Sequence, residues 1–225
     1  MMFSKLLAAA TALSGIVGFS GSAHATDPIA PSTYNWSGLY AGVTAGYGSG
    51  KYHQYVTGYV EPNEHDMAGF VGGGTFGYNT QIDQIVLGIE TDLSISGIGG
   101  TNSTDSGWTC DGPEACSTDI NWLGTARARL GFAVDRFMPF ITAGVAYAGI
   151  NSGDGPTTTN VFSRFDKVQF GWTAGVGIEA ALSDTMTMKA EVLYVDLGNV
   201  ESGNANGFGV YPDFTVARVG FNFRF

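Results

Sequence analysis

Apolar and polar residues alternate at period two over eight segments of the chain, at about 36–48, 67–79, 84–94, 120–132, 137–149, 168–180, 185–196 and 213–225. Period two is the mark of a strand whose two faces meet different surroundings. Each segment is long enough to cross a bilayer as a tilted strand, which takes about 9–11 residues. The connections alternate as well: those at 80–83, 133–136 and 181–184 are short, and those at 49–66, 95–119, 150–167 and 197–212 are long. Tight turns on one side and long loops on the other are expected of an up-and-down membrane barrel, whereas a soluble sandwich has no reason to sort its connections this way.

In the register that makes one face most apolar, that face holds Leu39, Val43 and Tyr47, then Ile85, Leu87, Ile89 and Leu93, then Phe170, Trp172, Val176 and Ile178. It ends on Val219, Phe221, Phe223 and Phe225, and no segment places a charge on it. The opposite face carries Glu90 and Asp92, Arg127 and Arg129, Glu179, Lys189 and Glu191, and Arg218 and Arg224, set among Gly, Thr and Ser. Apolar groups outside and charges inside reverse the order of a soluble barrel. Hydrocarbon around the ring explains the reversal, and closure leaves no backbone N–H or C=O facing it unpaired. The fold class expected is therefore all-β, an eight-stranded antiparallel transmembrane β-barrel wound as a meander.

Neighbouring segments carry opposite charges, as cross-strand pairing favours. Glu90 and Asp92 face Arg127 and Arg129, and Lys189 and Glu191 lie between Glu179 and Arg218. Two readings stand: a salt-bridge plug that holds the lumen shut, or a charged constriction that selects ions. An eight-stranded barrel is just wide enough for side chains to fill, which favours the plug. Glycines at 42, 46, 73, 77, 175, 177 and 220 leave room for long side chains, and would equally leave a narrow water path. Aromatic residues gather at both ends of the segments: Tyr47, Phe70, Trp122, Tyr147, Trp172 and Tyr194 at the long-loop ends, Tyr78, Phe132 and Phe225 at the short-turn ends. They predict two interfacial girdles.

Composition supports this picture. Thirty-four glycines and 10 Lys plus Arg in 225 residues disfavour helix, in whose interior Gly costs roughly 1 kcal/mol relative to Ala. The net charge of −10 excludes nucleic acid as a partner. Residues 1–25 read as a secretory signal: Lys5, an apolar run from Leu6, and Ala23-His24-Ala25 as a cleavage site. The domain plan is then a signal peptide over 1–25, a short periplasmic segment over 26–35 and the barrel over 36–225. In an exported chain, Cys110 and Cys116, which bracket an Asp-Gly-Pro turn, are expected to close a small disulfide loop.

Several stretches, NWSGLYAGVTAGYG (35–48), GFVGGGTFGYN (69–79), VLGIETDLS (86–94), NWLGTARARLGFAVDRFMPFITAGVAYA (121–148), KAEVLYVDLG (189–198) and the terminal RVGFNFRF, resemble the small outer-membrane β-barrel proteins of Gram-negative bacteria, often labelled the porin family. The resemblance runs over essentially the whole mature chain and implies a location in the bacterial outer membrane. It also implies that the row Phe221, Phe223, Phe225 is the signal read by the barrel assembly machinery. Members stabilise the envelope, some are described as porins, and some related proteins bind haemin. The partners expected are outer-membrane lipid and the assembly machinery, with self-association left open.

Other chemistry finds little support. Gly72, Gly74 and Gly77 spell a dinucleotide-binding pattern, but it lies within a strand with no βαβ unit around it. His53 and His65 stand in the first long loop beside tyrosines, and are weak candidates for ligating haem or a metal. No histidine sits with a serine and an acid as a hydrolase would require, so no enzyme and no cofactor is expected. The long loops are polar and acidic, and are the candidates for surface contacts.

Overall fold

In the computed structural model, residues 34–56, 59–60, 64–102, 116–154, 165–201 and 209–225 are described. Eight long strands follow in chain order: β1 (Gly38–Val56), β2 (His65–Ile82), β3 (Ile85–Asn102), β4 (Cys116–Phe132), β5 (Phe137–Asp154), β6 (Phe165–Ala181), β7 (Met186–Asp196) and β8 (Gly209–Arg224). Each pairs antiparallel with the next, and β1 pairs with β8 from Tyr40↔Arg224 to Tyr55↔Gly209, so the sheet closes. Two-residue strands at Tyr59–Val60 and Val200–Glu201 extend the rims beside β1 and β8. There is no helix among the described residues. The hairpin between β2 and β3 is tighter than the sequence implied: Ile82 pairs with Ile85, and only Asp83 and Gln84 turn the chain. Asp83 and, in the next short turn, Asp135 take φ of 53° and 49°, a left-handed conformation that Asp tolerates better than most residues.

Every strand but β7 is longer than the 11–13 residues of the alternating segments. All but β7 continue past the outer aromatic girdle, where the expected long loops should begin. That girdle is continuous around much of the wall: Tyr47 against Phe70 (5.1 Å between ring centroids), Trp122 against Tyr147 (6.0 Å), Tyr147 against Phe170 (6.3 Å) and Trp172 against Tyr194 (5.4 Å). From Trp172 on β6 to Leu182 just past its end, the chain rises about 25 Å along the membrane normal at about 3.3 Å per residue and a tilt of about 40°, which matches the apolar band of an outer-membrane barrel. Within that band the apolar side chains point outward, from Phe70 on β2 (77% exposed) to Ile89 on β3 and Val219 on β8.

Above the girdle the polarity reverses. Tyr52, Met67, Ile98, Ile120, Ile150, Val210 and Phe214 turn inward and form one buried apolar cluster, joined by Leu197 and Val200 from beyond the end of β7. The outer wall at this level carries Lys51, Asp66, Asp119 and Asp166. Irregularities in the ladder help the change along. The β3–β4 register shifts between Ile95 and Ile98, and the β4–β5 register shifts between Ile120 and Trp122. Asn121 is the extra residue on β4, so Ile120 and Trp122, two positions apart, face opposite sides: Trp122 joins the girdle and Ile120 enters the core.

A second buried cluster closes the short-turn end: Tyr34, Trp36, Val86, Ala133, Met138, Phe140 and Ala181. Trp36 was expected in the first strand and Tyr34 in a periplasmic segment. Instead β1 begins at Gly38, and both rings pack into the mouth of the barrel, edge to face with centroids 4.8 Å apart.

Candidate functional site

Between the two apolar clusters, the lumen is filled by charge. Glu90 and Asp92 from β3, Arg127 and Arg129 from β4, Glu179 from β6, Lys189 and Glu191 from β7 and Arg218 from β8 point inward, because each lies one residue out of phase with the lipid-facing row of its strand. Every one of these side chains is at most 3% exposed. Four carboxylates meet four cations, so the cluster carries no net charge.

Arg127 is at the centre. Its guanidinium donates to Glu90 (2.5 Å), Asp92 (3.1 Å) and Glu191 (2.8 Å), and its Nε donates to the Thr125 hydroxyl (2.9 Å). Arg218 holds Asp92 with two parallel bonds of 2.9 Å each and donates from Nε to Glu191 (2.9 Å). Lys189 reaches both oxygens of Glu90 (2.7 and 2.8 Å) and lies 3.2 Å from Glu191. Arg129 donates to Glu179 (2.7 Å), to Glu90 (3.3 Å) and to the Tyr40 hydroxyl (2.7 Å), and its guanidinium lies 4.1 Å from the centre of the Phe140 ring. Neutral donors complete the shell: Tyr40 to Glu90, Thr125 to Asp92, and Thr187 and Asn222 to Glu179. Burying charges is tolerable only when each is paired and its remaining hydrogen-bonding capacity is met, and this arrangement meets that condition for all four carboxylates.

Glycines make the fit. A Cβ on Gly77 would run into the phenol of Tyr40, and one on Gly177 would meet Phe140 and the stem of Glu191. The space opposite these glycines is occupied by Tyr40, Phe140 and Glu191.

The sequence-derived pairs divide into two groups. Glu90–Arg127, Asp92–Arg127, Glu90–Arg129 and Glu191–Arg218 are joined between adjacent strands. Glu179 and Lys189 stand opposite one another in register but do not bond to each other. Each reaches across the lumen instead, Lys189 to Glu90 and Glu179 to Arg129. Arg224 is not part of the network: it donates to the Ser37 carbonyl (2.5 Å) and lies 4.9 Å from the centre of the Tyr34 ring. Sequence reading missed Tyr40, Thr125, Thr187 and Asn222; their signal was a run of polar positions on the lumen face, too common to single out.

Elsewhere, Phe221, Phe223 and Phe225 form an exposed outward row at the end of the barrel. His53 lies 3.3 Å from Glu64, and the His65 ring lies against that of Tyr52, with 5.4 Å between centroids. Lys51 donates to Glu64 (2.5 Å), a bond that holds its ammonium above the ordinary lysine value. Among the described residues no three His, Cys, Asp or Glu side chains gather as a metal site would require. Ala23, Ala25 and Cys110 lie outside the described residues; Cys116 opens β4, but its side chain also lies outside them, and so therefore does the expected disulfide.

Comparison with known proteins agrees with the geometry. Residues 11–225 match the outer membrane protein beta-barrel domain. The 31 kDa outer-membrane immunogenic protein of Brucella melitensis is 35% identical over 246 residues, covering all of both chains. The 22 kDa outer membrane protein of Rhizobium leguminosarum bv. viciae is 30% identical over 169 residues, covering 75% of this chain and 67% of its own. Among solved structures, the outer membrane protein OprG from Pseudomonas aeruginosa superposes with a TM-score of 0.52 at 12% identity, over 85% of this chain and 97% of its own, a likeness of fold alone. The alternating strands, the inverted faces and the closed meander thus have one common source, and this chain belongs to the outer membrane protein β-barrel domain family of Gram-negative bacteria.

Proposed function

We propose that this outer-membrane barrel is a structural envelope protein with a closed lumen, one that acts by occupying the membrane and presenting its loops rather than by conducting solutes or catalysing a reaction. The observation that carries this reading is the neutral network of four carboxylates and four cations, buried at mid-lumen between two apolar layers. A selective pore needs a charge left over to attract an ion and water to carry it; here each charge is spent on a partner. The names of the Brucella relatives, immunogenic outer-membrane proteins, favour a surface role for the loops. Export through cleavage after Ala25 belongs to the same reading. So do lipid and the barrel assembly machinery as partners, with Phe221, Phe223 and Phe225 as the segment that machinery reads, and so does association between copies.

Planar-bilayer recording of the refolded mature protein tests the proposal. The unmodified protein is expected to give no discrete steps. Salt-dependent steps would overturn the closed reading and make the lumen charges a filter. Arg127→Ala alone is expected to stay silent as well, because the apolar layers above and below the network remain.

A further inference from the structure

The short-turn mouth is closed by a strap that is built differently from the rest of the lumen. We propose that residues Tyr34–Ser37 form a latched periplasmic seal, separable from the charge network, that opens the lower vestibule to water while the barrel stays folded and the mid-lumen stays shut. The inference concerns the mouth and holds whether or not the mid-lumen conducts.

Three observations support it. First, the strap is outside the ladder: β1 begins at Gly38, so Tyr34–Ser37 are not strand-paired to either neighbour. Second, its attachment is a short polar latch. The Trp36 N–H donates to Gln81 Oε1 (2.7 Å), the Gln81 N–H donates to Ser37 Oγ (2.9 Å) and Arg224 donates to the Ser37 carbonyl (2.5 Å). Tyr34 adds a long bond to the Asp184 carbonyl (3.4 Å) and lies under the guanidinium of Arg224. Third, the closed position leaves polar atoms unsatisfied. Trp36 Nε1 in the strap and Asn79 Oδ1, on the wall where Asn79 pairs with Gly38 at the strap's end, are buried without a protein partner. Burial of two aromatic rings favours closure, while the two orphaned groups favour a hydrated, open mouth. A seal held between such opposing tendencies responds to its latch.

Cysteine accessibility separates this from a passive plug. Ala133 is buried beneath the strap and Ile150 is buried in the upper apolar core. In the full mature chain with Cys110→Ser and Cys116→Ser, Ala133→Cys and Ile150→Cys are placed singly and their rates of reaction with a charged maleimide are measured in folded, heat-modifiable protein. Adding Gln81→Ala is expected to raise the rate at position 133 at least 10-fold and to leave position 150 unchanged. Trp36→Ala should act in the same direction; if it does not fold, Gln81→Ala carries the test. An unchanged rate at 133, or parallel acceleration at 133 and 150, would overturn the proposal, the first because no latch exists and the second because the whole barrel has loosened.

Discussion

The strands of this barrel cross two solvents, and their polarity turns over between them. Within the membrane band, Ile89 faces lipid while its neighbour Glu90 is buried; above the girdle, Asp119 faces out while its neighbour Ile120 is buried. The lower part is held by contact with hydrocarbon outside and by ion pairs inside. The upper part is organised like a small soluble protein around a dry core. What differs is the medium outside: where lipid already solvates apolar groups, their burial in the lumen gains little, and the lumen is free to hold charge. Where water is outside, the hydrophobic effect claims the interior again.

The largest expected effect comes from breaking the lower interior. Arg127→Ala leaves Glu90, Asp92 and Glu191 short of a shared cation in a dry lumen, and should cost about 3–5 kcal/mol of unfolding free energy in urea titrations of the lipid-reconstituted protein. Little or no loss would mean that water enters the network. Next, a cation placed on either outer wall distinguishes the two solvents: Ile89→Lys, facing lipid, should cost about 2–4 kcal/mol, and Asp166→Lys, above the girdle, less than about 0.5 kcal/mol. Equal costs would place the membrane boundary elsewhere.

A smaller contrast comes from trimming the same residue type in both regions. Ile150→Ala opens a cavity in the upper core and should cost about 2–4 kcal/mol, while lipid refills the space left by Ile89→Ala, which should cost about 0.5–1 kcal/mol. The smallest effect is expected at the exposed pair: Lys51→Ala should leave unfolding unchanged within error, since surface ion pairs are heavily screened.

Much of the lower region was legible in the sequence. Alternation is local, and a residue's side of a strand follows from its position in it, so Phe223 outward and Glu191 inward could be read before any contact was known. Adjacent-strand pairs such as Glu191–Arg218 followed from the meander. The upper region was less legible. Its strands read as loop in the sequence because residues such as 49–56 and 95–102 are rich in Gly, Ser and polar groups, and the bulge at Asn121 breaks the count that assigns Ile120 to a face.

The sequence by itself determined the number of strands, the faces they turn to lipid and the sign of every lumen charge, because each of these depends on the order of residues along one strand or its immediate neighbour. Only the tertiary structure decided that Lys189 crosses to Glu90, that Glu179 crosses to Arg129, and that Tyr34 and Trp36 fold back to close the mouth. Those contacts join parts of the chain brought together by closure of the ring, and the distance across a closed barrel is set by all of its strands at once.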